Sequence, residues 1–393
     1  MSAGRKLRGA RRNEGHMEYM NGKKIVILTF LLMLAACSVW TQSSMLMPPY
    51  LQAVTTTSVD VMVESSASDP VTVDFGMSTA YAKSAGTTFI STTDLPSYVH
   101  TVTLTGLLPN SVYHYRARQG EARSSDATFT TAVLPGTPFR FAWDADFRGG
   151  WVIHDSITFR IADFHPMVIL MGGDVAATIS YADFKNDLFR PTQLALFGSV
   201  PFFNATGNHE GWTTNTRAFT RAPESAPGTD GYYSLDYGDM HVLVLNTQLP
   251  HGPGTPQYAF ADSDLASSKR NWKIVIAHKP AYCAGGHGEE KDMVAMTKGV
   301  FEPRKVDAVI AGHSHFYQHN VVNGIHHLII GTAGAPLYSP DTAWYTMKTL
   351  REYCFAIGDV TAETFRLLVY NEHGAVLDSL NLDKHLRTPA NAR

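Results

Sequence analysis

The chain has 393 residues, of which 44% are apolar and 17% charged, as in a globular protein with room for two or three domains. Its net charge of -3 gives no reason to expect nucleic-acid binding. Only three cysteines occur, Cys37, Cys283 and Cys354, which excludes a disulfide framework and a cysteine-based zinc site. Pairing of Cys283 with Cys354 in an oxidising compartment is left open.

The N-terminus has the pattern of an export signal. Two lysines precede an apolar stretch from Ile25 to Ala36, which is too short for a comfortable membrane span and is followed by small residues. Leu34 to Cys37 resembles a bacterial lipobox, with Cys37 as the acylated first mature residue; ordinary cleavage nearby is the alternative. We expect residues 1–43 to be a signal and spacer. The mature protein is then periplasmic, attached to the outer membrane only through a lipid, or secreted from a bacterium.

Residues 48 to about 132 show the alternating pattern of β-strands. The alternating segments are Val59–Glu64, Val71–Phe75, His100–Leu104 and Val112–Ala117. Short strands at this spacing, separated by turn residues, predict a small β-sandwich. Leu107 to Tyr115 resembles a fibronectin type III signature, in which a tyrosine opens a late strand. Because no cluster of acids or histidines occurs here, we interpret residues 44–133 as a packing or positioning domain.

After a linker around Pro135 to Pro138, strands alternate with helices and then continue without them. Helical patterns cover about Val152 to Phe164 and Tyr181 to Leu196. The predicted strands are Phe139–Trp143, Met167–Met171, Val200–Thr206, Tyr232–Asp236, His241–Asn246, Trp272–Ala277, Val306–Ala311, Ile325–Gly331, Phe355–Val360 and Phe365–Tyr370. This order predicts a sheet-rich, layered α/β domain over residues 138–380, followed by a tail, 381–393.

Five of these strands are followed by residue types that bind metals. The residues are Asp146, Asp174, Asn208 with His209, His278, and His313 with His315. Each alone has an ordinary explanation, because an Asp after a strand is usually a helix cap or turn residue and a His there is usually solvated. Together, at the carboxyl ends of strands where α/β sheets bind ligands, they predict a site for first-row divalent or trivalent metals. A carboxylate shared between two ions would let so few residues hold two metals.

Taken in chain order, these blocks resemble the signature of calcineurin-like metallophosphoesterases. The blocks are Asp146, Gly173-Asp174, Gly207-Asn208-His209-Glu210, His278 and Gly312-His313-Ser314-His315. The leading sandwich, with Pro48 to Gln52, resembles the N-terminal domain of purple acid phosphatases, and Gly331 to Tyr338 resembles the segment after their last block. The resemblance covers nearly all of the mature chain. It implies an α/β (α+β) four-layer metallophosphoesterase sandwich preceded by a fibronectin III-like domain.

The resemblance also implies a mechanism, in which Asp174 bridges two metal ions, which are Fe, Zn or Mn. One ion is completed by Asn208, His278 and His313, and the other is bound by Asp146 and His315. The two ions would clamp a phosphate ester and supply a hydroxide that attacks phosphorus in line. His209 would stabilise or protonate the departing oxygen.

Two positions depart from the family pattern. Ala177 stands where purple acid phosphatases carry a tyrosine, and Arg148 stands where commoner phosphoesterases have a histidine. The first metal therefore lacks one expected ligand. We expect His154, on the following helix, to fill this place, with Asp144 or water as alternatives; Asp144 is also an alternative to Asp146 as the first-block ligand. Arg148 is then free to pair with a phosphate oxygen of the substrate.

The sequence thus predicts an exported, acid phosphatase-like phosphoesterase acting on a small phosphate ester, with the choice between monoesters and diesters open. His287, in a glycine-rich loop after the fourth block, could reach the substrate, although a plain loop histidine is the alternative. The alternative function is that of a catalytically weak surface lipoprotein, which binds a partner and holds one metal. The oligomeric state is left open.

The protein should not be purple even when it binds iron, because Ala177 replaces the tyrosine whose charge transfer to iron produces the colour. The measurement is the visible absorption spectrum of the iron-loaded protein. A strong band in the visible range would contradict this prediction.

Overall fold

The computed structural model of the protein describes residues 45–221, 223 and 231–386. The predicted export signal, with Cys37, and the end of the predicted tail lie outside these residues. Among the residues that are described, no helix is long and apolar enough to cross a membrane.

The strands of the described residues form three sheets. In chain order they are β1 (Tyr50–Gln52), β2 (Ser58–Ser65), β3 (Thr72–Gly76), β4 (Lys83–Gly86), β5 (Phe89–Thr92), β6 (Tyr98–Thr105), β7 (Val112–Gln119), β8 (Ala122–Arg123), β9 (Ala127–Thr130), β10 (Phe139–Asp144), β11 (Val168–Met171), β12 (Phe202–Asn204), β13 (Tyr233–Tyr237), β14 (Met240–Val244), β15 (Trp272–Ala277), β16 (Ala308–Ala311), β17 (Tyr317–Val322), β18 (Ile325–Ile330), β19 (Thr346–Leu350), β20 (Cys354–Val360), β21 (Thr364–Asn371) and β22 (Val376–Asp383).

The helices are short, and two of them continue into π-helical turns. They are α1 (Trp151–Asp163), α2 (Tyr181–Asp183, continued by a π-turn at Phe184–Leu188), α3 (Pro191–Phe197), α4 (Thr214–Phe219), α5 (Pro256–Ser267), α6 (Lys291–Met296, continued by a π-turn at Thr297–Phe301) and α7 (Glu302–Arg304).

Two large sheets form the α/β part of the molecule. A ten-stranded sheet has the order β22-β21-β20-β10-β11-β12-β1-β2-β6-β5, and a seven-stranded sheet has the order β13-β14-β15-β16-β18-β17-β19. Trp143 and Trp272, one from each sheet, are fully buried in the core between them. Helices α1 and α3 pack on the outer face of the first sheet, and α5 and α6 pack on the outer face of the second. This helix–sheet–sheet–helix order confirms the predicted four-layer fold.

In the N-terminal sandwich, one layer consists of β2, β5 and β6. The other layer is a five-stranded sheet of order β4-β3-β7-β8, in which β9 also pairs with β7. All four strands predicted in this region are present. The sandwich shares a sheet with the α/β part, because β1 pairs in parallel with β12 at Gln52 and Phe202. Buried hydrogen bonds reinforce this junction: the Tyr115 hydroxyl donates to the Gly198 carbonyl (2.7 Å), and Gln52 Nε2 donates to the Phe219 carbonyl (2.8 Å). The two regions that the sequence separates are therefore joined through one sheet.

Two boundaries differ from the sequence prediction. The helix expected from Tyr181 to Leu196 is broken at Arg190, which is extended (φ -72°, ψ 160°), and Pro191 then starts a new helix. The residue before a proline is disfavoured in the α conformation, and this explains the break. The domain end expected at residue 380 falls inside β22, which pairs with β21 as far as Asp383.

Cys283 and Cys354 are both buried and free. Cys283 lies 3.3 Å from the Ser314 hydroxyl, and Cys354 lies 3.0 Å from the Thr332 hydroxyl. The pairing that the sequence left open is therefore absent.

A charge cluster on β13, β14 and α5 gives a testable dependence of stability on pH. Burial alone would lower the pKa of His241, but hydrogen bonds to Asp236 and Asp264, each 2.8 Å, raise this pKa to about 9. A raised folded-state pKa stabilises the fold below the unfolded value near 6.5, and this stabilisation disappears as the pH rises through 9.

We therefore expect His241→Asn to lower the free energy of unfolding by about 2–3 kcal/mol more at pH 6 than at pH 10. Denaturant unfolding of wild type and variant at both pH values measures this difference. The exposed His373, changed to Asn, is the matched control. An equal effect of His241→Asn at both pH values would contradict the prediction.

Candidate metal centre

The carboxyl ends of parallel strands from both large sheets meet at one place. In the first sheet, β10, β11 and β12 are parallel, and the loops after them carry Asp146, Asp174 and Asn208. In the second sheet, β15 and β16 are parallel, and His278 and His313 follow them. The sheets also contact each other here, since His278 Nδ1 donates to the Gly172 carbonyl at 2.8 Å. The topology thus collects loops that are far apart in the sequence.

Asp146 is fully buried and has a left-handed backbone (φ +57°). Its carboxylate accepts a hydrogen bond from the His313 amide, with N–O distances of 3.0 and 2.9 Å. A Cβ added at Gly312 would overlap Asp146 Oδ2, and one at Gly331 would lie 2.8 Å from it. Burial and the charge of Asp174 raise the pKa of Asp146 well above its ordinary value. The site therefore gathers negative charge that a bound cation would stabilise.

Asp174 is the second buried carboxylate and also has a left-handed backbone (φ +53°). Its Oδ1 accepts from the His209 amide at 3.0 Å, and its Oδ2 accepts from Arg148 Nε at 3.2 Å. Burial would raise the pKa of Asp174, but His278, the His209 amide and Arg148 outweigh burial and lower it. One ligand atom from each of Asp146, Asp174 and His278 lies within 4.8 Å of the others, which is a spacing that suits a shared ion.

The histidine tautomers are fixed by backbone carbonyls. His278 Nδ1 donates to Gly172, and His315 Nδ1 donates to Pro336 at 2.8 Å, so Nε2 is the nitrogen of each ring that lies beside a site carboxylate. His315 Nε2 is buried without a hydrogen-bond partner and lies 3.5 Å from Asp146 Oδ1. A metal-binding histidine usually donates its other nitrogen in this way. This orphaned nitrogen beside a carboxylate fits a metal ligand.

A second set of ligand atoms surrounds His278 Nε2. It lies 2.9 Å from Asn208 Oδ1, 3.3 Å from Asp174 Oδ1 and 3.1 Å from His313 Nδ1. Burial, together with His278, lowers the pKa of His313 to about 2, so that its imidazole is neutral. Either a proton on His278 Nε2 or a bound cation would satisfy these acceptors. The donor set, which includes Asp174 Oδ1, therefore fits a second ion.

The structure does not add His154 to this group. His154 Nε2 donates to Asp144 Oδ2 (3.1 Å), and Nδ1 accepts from Gln193 Nε2 (3.2 Å), so both ring nitrogens are already used. Its ring stacks on Phe147, with centroids 3.7 Å apart. The first turn of α1 directs His154 to Asp144 and not to Asp146, which speaks against His154 as the missing ligand. Asp144 stays a predicted alternative, and its Oδ1 is buried without a hydrogen-bond partner.

Arg148 and His209 lie beside Asp174. The Arg148 side chain, 19% exposed, pairs with Asp174. His209 Nδ1 donates to the Ala177 carbonyl at 2.8 Å, and its Nε2 lies 3.9 Å from Asp174 Oδ2. Ala177, at the position where purple acid phosphatases carry a tyrosine, thus uses its backbone carbonyl to hold the His209 ring.

The site also contains residues that the sequence did not single out. Tyr338 stacks on His315, with centroids 4.2 Å apart, and meets His287 edge-on. His287 itself stacks on His313 at 4.2 Å. Glu210 is buried beneath the site and accepts from the Gly207 amide at 2.7 Å. Tyr338 and Glu210 each belong to a sequence motif described above. Only the contacts show that Tyr338 packs against the proposed ligands and that Glu210 holds the loop carrying Asn208.

The glycine next to Asp146 gives a direct test of this geometry. Because a Cβ at Gly312 would overlap the Asp146 carboxylate, we expect Gly312→Ala to displace it, reduce bound metal by about one ion per chain and cost about 1–3 kcal/mol of stability. Metal analysis and denaturant unfolding are the measurements. Gly86→Ala is the matched control, since a Cβ there meets nothing within 4 Å. Unchanged metal content in Gly312→Ala would contradict the geometry.

Comparison with known proteins identifies both regions. Residues 154–317 match the model of the calcineurin-like phosphoesterases, and residues 49–131 match that of the purple acid phosphatase N-terminal domain. Purple acid phosphatase 21 of Arabidopsis thaliana is 28% identical over 240 residues, which cover 56% of this chain and 53% of that protein. Fe(3+)-Zn(2+) purple acid phosphatase 12 of the same plant is 25% identical over 274 residues, covering 61% of this chain and 58% of that protein. The chain thus spans little more than half the length of these relatives.

Solved structures share the fold. A purple acid phosphatase from yellow lupin (Lupinus luteus) seeds superposes with a TM-score of 0.73 and 21% identity, over 85% of this chain and 74% of that one. The structure of PhoD gives a TM-score of 0.64 and 14% identity, over 85% of this chain and 92% of that one. Residues 154–317 thus form a calcineurin-like phosphoesterase domain, and residues 49–131 form a purple acid phosphatase N-terminal domain.

Proposed function

We propose that this protein is an exported, metal-dependent phosphoesterase that hydrolyses small phosphate esters at a dinuclear centre. The observation that supports the proposal is the convergence of ligand atoms: those of Asp146, Asp174 and His278 lie within 4.8 Å of one another, and His278 Nε2 also lies 2.9 Å from Asn208 Oδ1. Export and acylation at Cys37 rest on the sequence alone and remain predictions.

The proposed ligands divide into two sets that share Asp174. Asn208, His278 and His313 would hold one ion, and Asp146 and His315 would hold the other. Bound metals of this kind neutralise phosphate oxygens and provide an activated water near neutral pH. Iron, zinc and manganese all suit oxygen and imidazole ligands, so the metal identity stays open.

The chain's own residues would bind the ester and assist the leaving group. The Arg148 guanidinium has five N–H donors in a planar fork and uses only Nε on Asp174, so its remaining donors suit a phosphate oxygen. His209 is fixed at Nδ1 by a carbonyl, which leaves Nε2 to face the departing oxygen. A proton at Nε2 would be donated to that oxygen as the bond to phosphorus breaks.

His287 and Tyr338 would form an aromatic wall of the site. Their stacking on His313 and His315 restricts both ligand rings, and His287 remains exposed. We therefore propose His287 as a substrate-facing residue whose ring also orients His313.

The alternative is a weakly active lipoprotein that binds a partner and holds one metal. The ion pair between Arg148 and Asp174 favours it, because a guanidinium already neutralises the carboxylate that has to bridge two cations. One matched relative, 25% identical over 364 residues that cover 74% of this chain and 59% of that protein, is named probable inactive purple acid phosphatase 1 of Arabidopsis thaliana. One metal per chain with no turnover would favour this alternative.

The test of the proposed function is hydrolysis of a chromogenic aryl phosphate by the metal-loaded protein. We expect activity that a chelator abolishes and the metal restores. We expect Asn208→Ala to lower kcat/KM by about 100-fold or more, because losing a direct ligand costs at least as much as losing a residue that orients one.

The control is Asn381→Ala, which removes an exposed asparagine amide from β22 and should leave kcat/KM within about twofold. Circular dichroism of both variants checks that they fold. Hydrolysis that is insensitive to the chelator, or an Asn208→Ala variant as active as the control, would overturn the proposal.

A further inference from the structure

We infer a third cation site, separate from the proposed catalytic centre, formed by His251, Glu290 and Asp292. One ligand atom from each lies within 4.8 Å of the others. His251 is in the loop after β14, and the two acids lie at the start of α6. None of the three belongs to the blocks that form the dinuclear centre.

The buried nitrogen of His251 carries this inference. His251 is only 4% exposed, and its Nδ1 donates to the Leu249 carbonyl at 2.8 Å. Its Nε2 therefore carries a lone pair, and this atom is buried with no hydrogen-bond partner. A histidine held by a carbonyl in this way has the orientation and tautomer of a metal ligand.

The two acids cannot satisfy this nitrogen themselves. A carboxylate only accepts hydrogen bonds, so the imidazole lone pair and two carboxylates form a cluster of acceptors. Lys279 Nζ lies 3.9 Å from Glu290 Oε2, which is a loose ion pair at the edge of the cluster. No ion pair within 4.0 Å joins His251 to a described carboxylate, whereas His241 lies 2.8 Å from both Asp236 and Asp264.

The spacing suits a bridging ion better than direct contact. Nitrogen and oxygen ligands lie about 2.0–2.2 Å from zinc, so two ligands of one ion are at most about 4.3 Å apart. The observed spacing needs only a small rotation of the acids, and both have room for it, since Glu290 is half-buried and Asp292 is exposed.

Gly252 gives Asp292 its position. A Cβ added at Gly252 would lie 2.6 Å from Asp292 Oδ1, so the carboxylate rests directly against the backbone beside His251. Thr255 braces this loop, because its amide and its hydroxyl both donate to the Gly252 carbonyl, at 3.1 and 2.8 Å. Hydrogen bonds within the loop therefore hold the backbone that carries His251 and that contacts Asp292.

One imidazole with two carboxylates suits a first-row divalent cation such as Zn²⁺, whereas Ca²⁺ and Mg²⁺ prefer oxygen ligands alone. The ion would tie the loop containing His251 to the segment after His278. That segment already contacts the loop, since the Lys279 amide donates to the Thr247 hydroxyl at 3.3 Å. Within the segment, the Glu290 amide donates to the Pro280 carbonyl at 3.1 Å. The proposed role is structural: the ion fixes a loop beside a ligand of the catalytic centre.

The test is the zinc content of the full chain after dialysis against Zn²⁺. The double variant Glu290→Gln/Asp292→Asn keeps the side-chain shapes and should bind one zinc ion fewer per chain than wild type. The charge-matched control is Asp69→Asn/Glu121→Gln, which changes two exposed acids of the sandwich and should bind as much zinc as wild type. His251→Gln should reproduce the loss.

A second measurement separates ion binding from misfolding. Zinc should raise the Tm of the control variant more than that of the double variant, because an ion that binds only the folded state stabilises it. In metal-free buffer the two variants should unfold at temperatures within a few degrees of each other. Equal zinc content in the double variant, the control and wild type would overturn the inference. Both variants keep the ligands of the catalytic centre, and the test measures a difference of one zinc ion between them. The result therefore does not depend on whether the protein hydrolyses phosphate esters.

Discussion

The structure depends on holding two buried carboxylates and several imidazole lone pairs close together. Burial favours the neutral form of Asp146, and the nearby charge of Asp174 adds to this effect. Such a cluster is costly unless cations complete it. The surrounding features are explained by this constraint, including the glycines beside the carboxylates and the carbonyls that fix the histidine tautomers.

Backbone strain marks the same place. Asp146, Asp174 and His313 all have left-handed backbones, with φ of 57°, 53° and 69°. This conformation is uncommon for residues other than glycine, and it persists only where surrounding contacts enforce it. Here the enforcing contacts are backbone amides that donate to the carboxylates. The strained backbone positions therefore coincide with three of the proposed ligands.

Much of this could be predicted from sequence, because strands and their ends have local patterns. The apolar runs before Asp146, Asp174 and His278 are short and end in turn residues, so both the strands and the blocks were found. Contacts between distant segments have no such pattern. The pairing of Gln52 with Phe202, which merges the sandwich with the central sheet, depends on where two separate strands meet in space.

The direction of a side chain is the other property of the site that the sequence does not predict. His154 lies on a helix that sequence spacing alone allows to face the metals, and only the contact with Asp144 shows that it does not. The site around His251 could not be predicted from sequence either, because its proposed ligands are about forty residues apart in the chain. Arg148 was expected to be free for the substrate, but its pairing with Asp174 could not be inferred without coordinates.

The central claim is that one carboxylate lies between two cations. An anomalous difference map from crystals of the metal-loaded protein, collected at the absorption edge of the bound metal, tests it most directly. The account predicts two peaks flanking Asp174, one beside Asp146 and His315 and the other beside Asn208, His278 and His313. A single peak on one side of Asp174, with the Arg148 guanidinium in the place of the second ion, would contradict it.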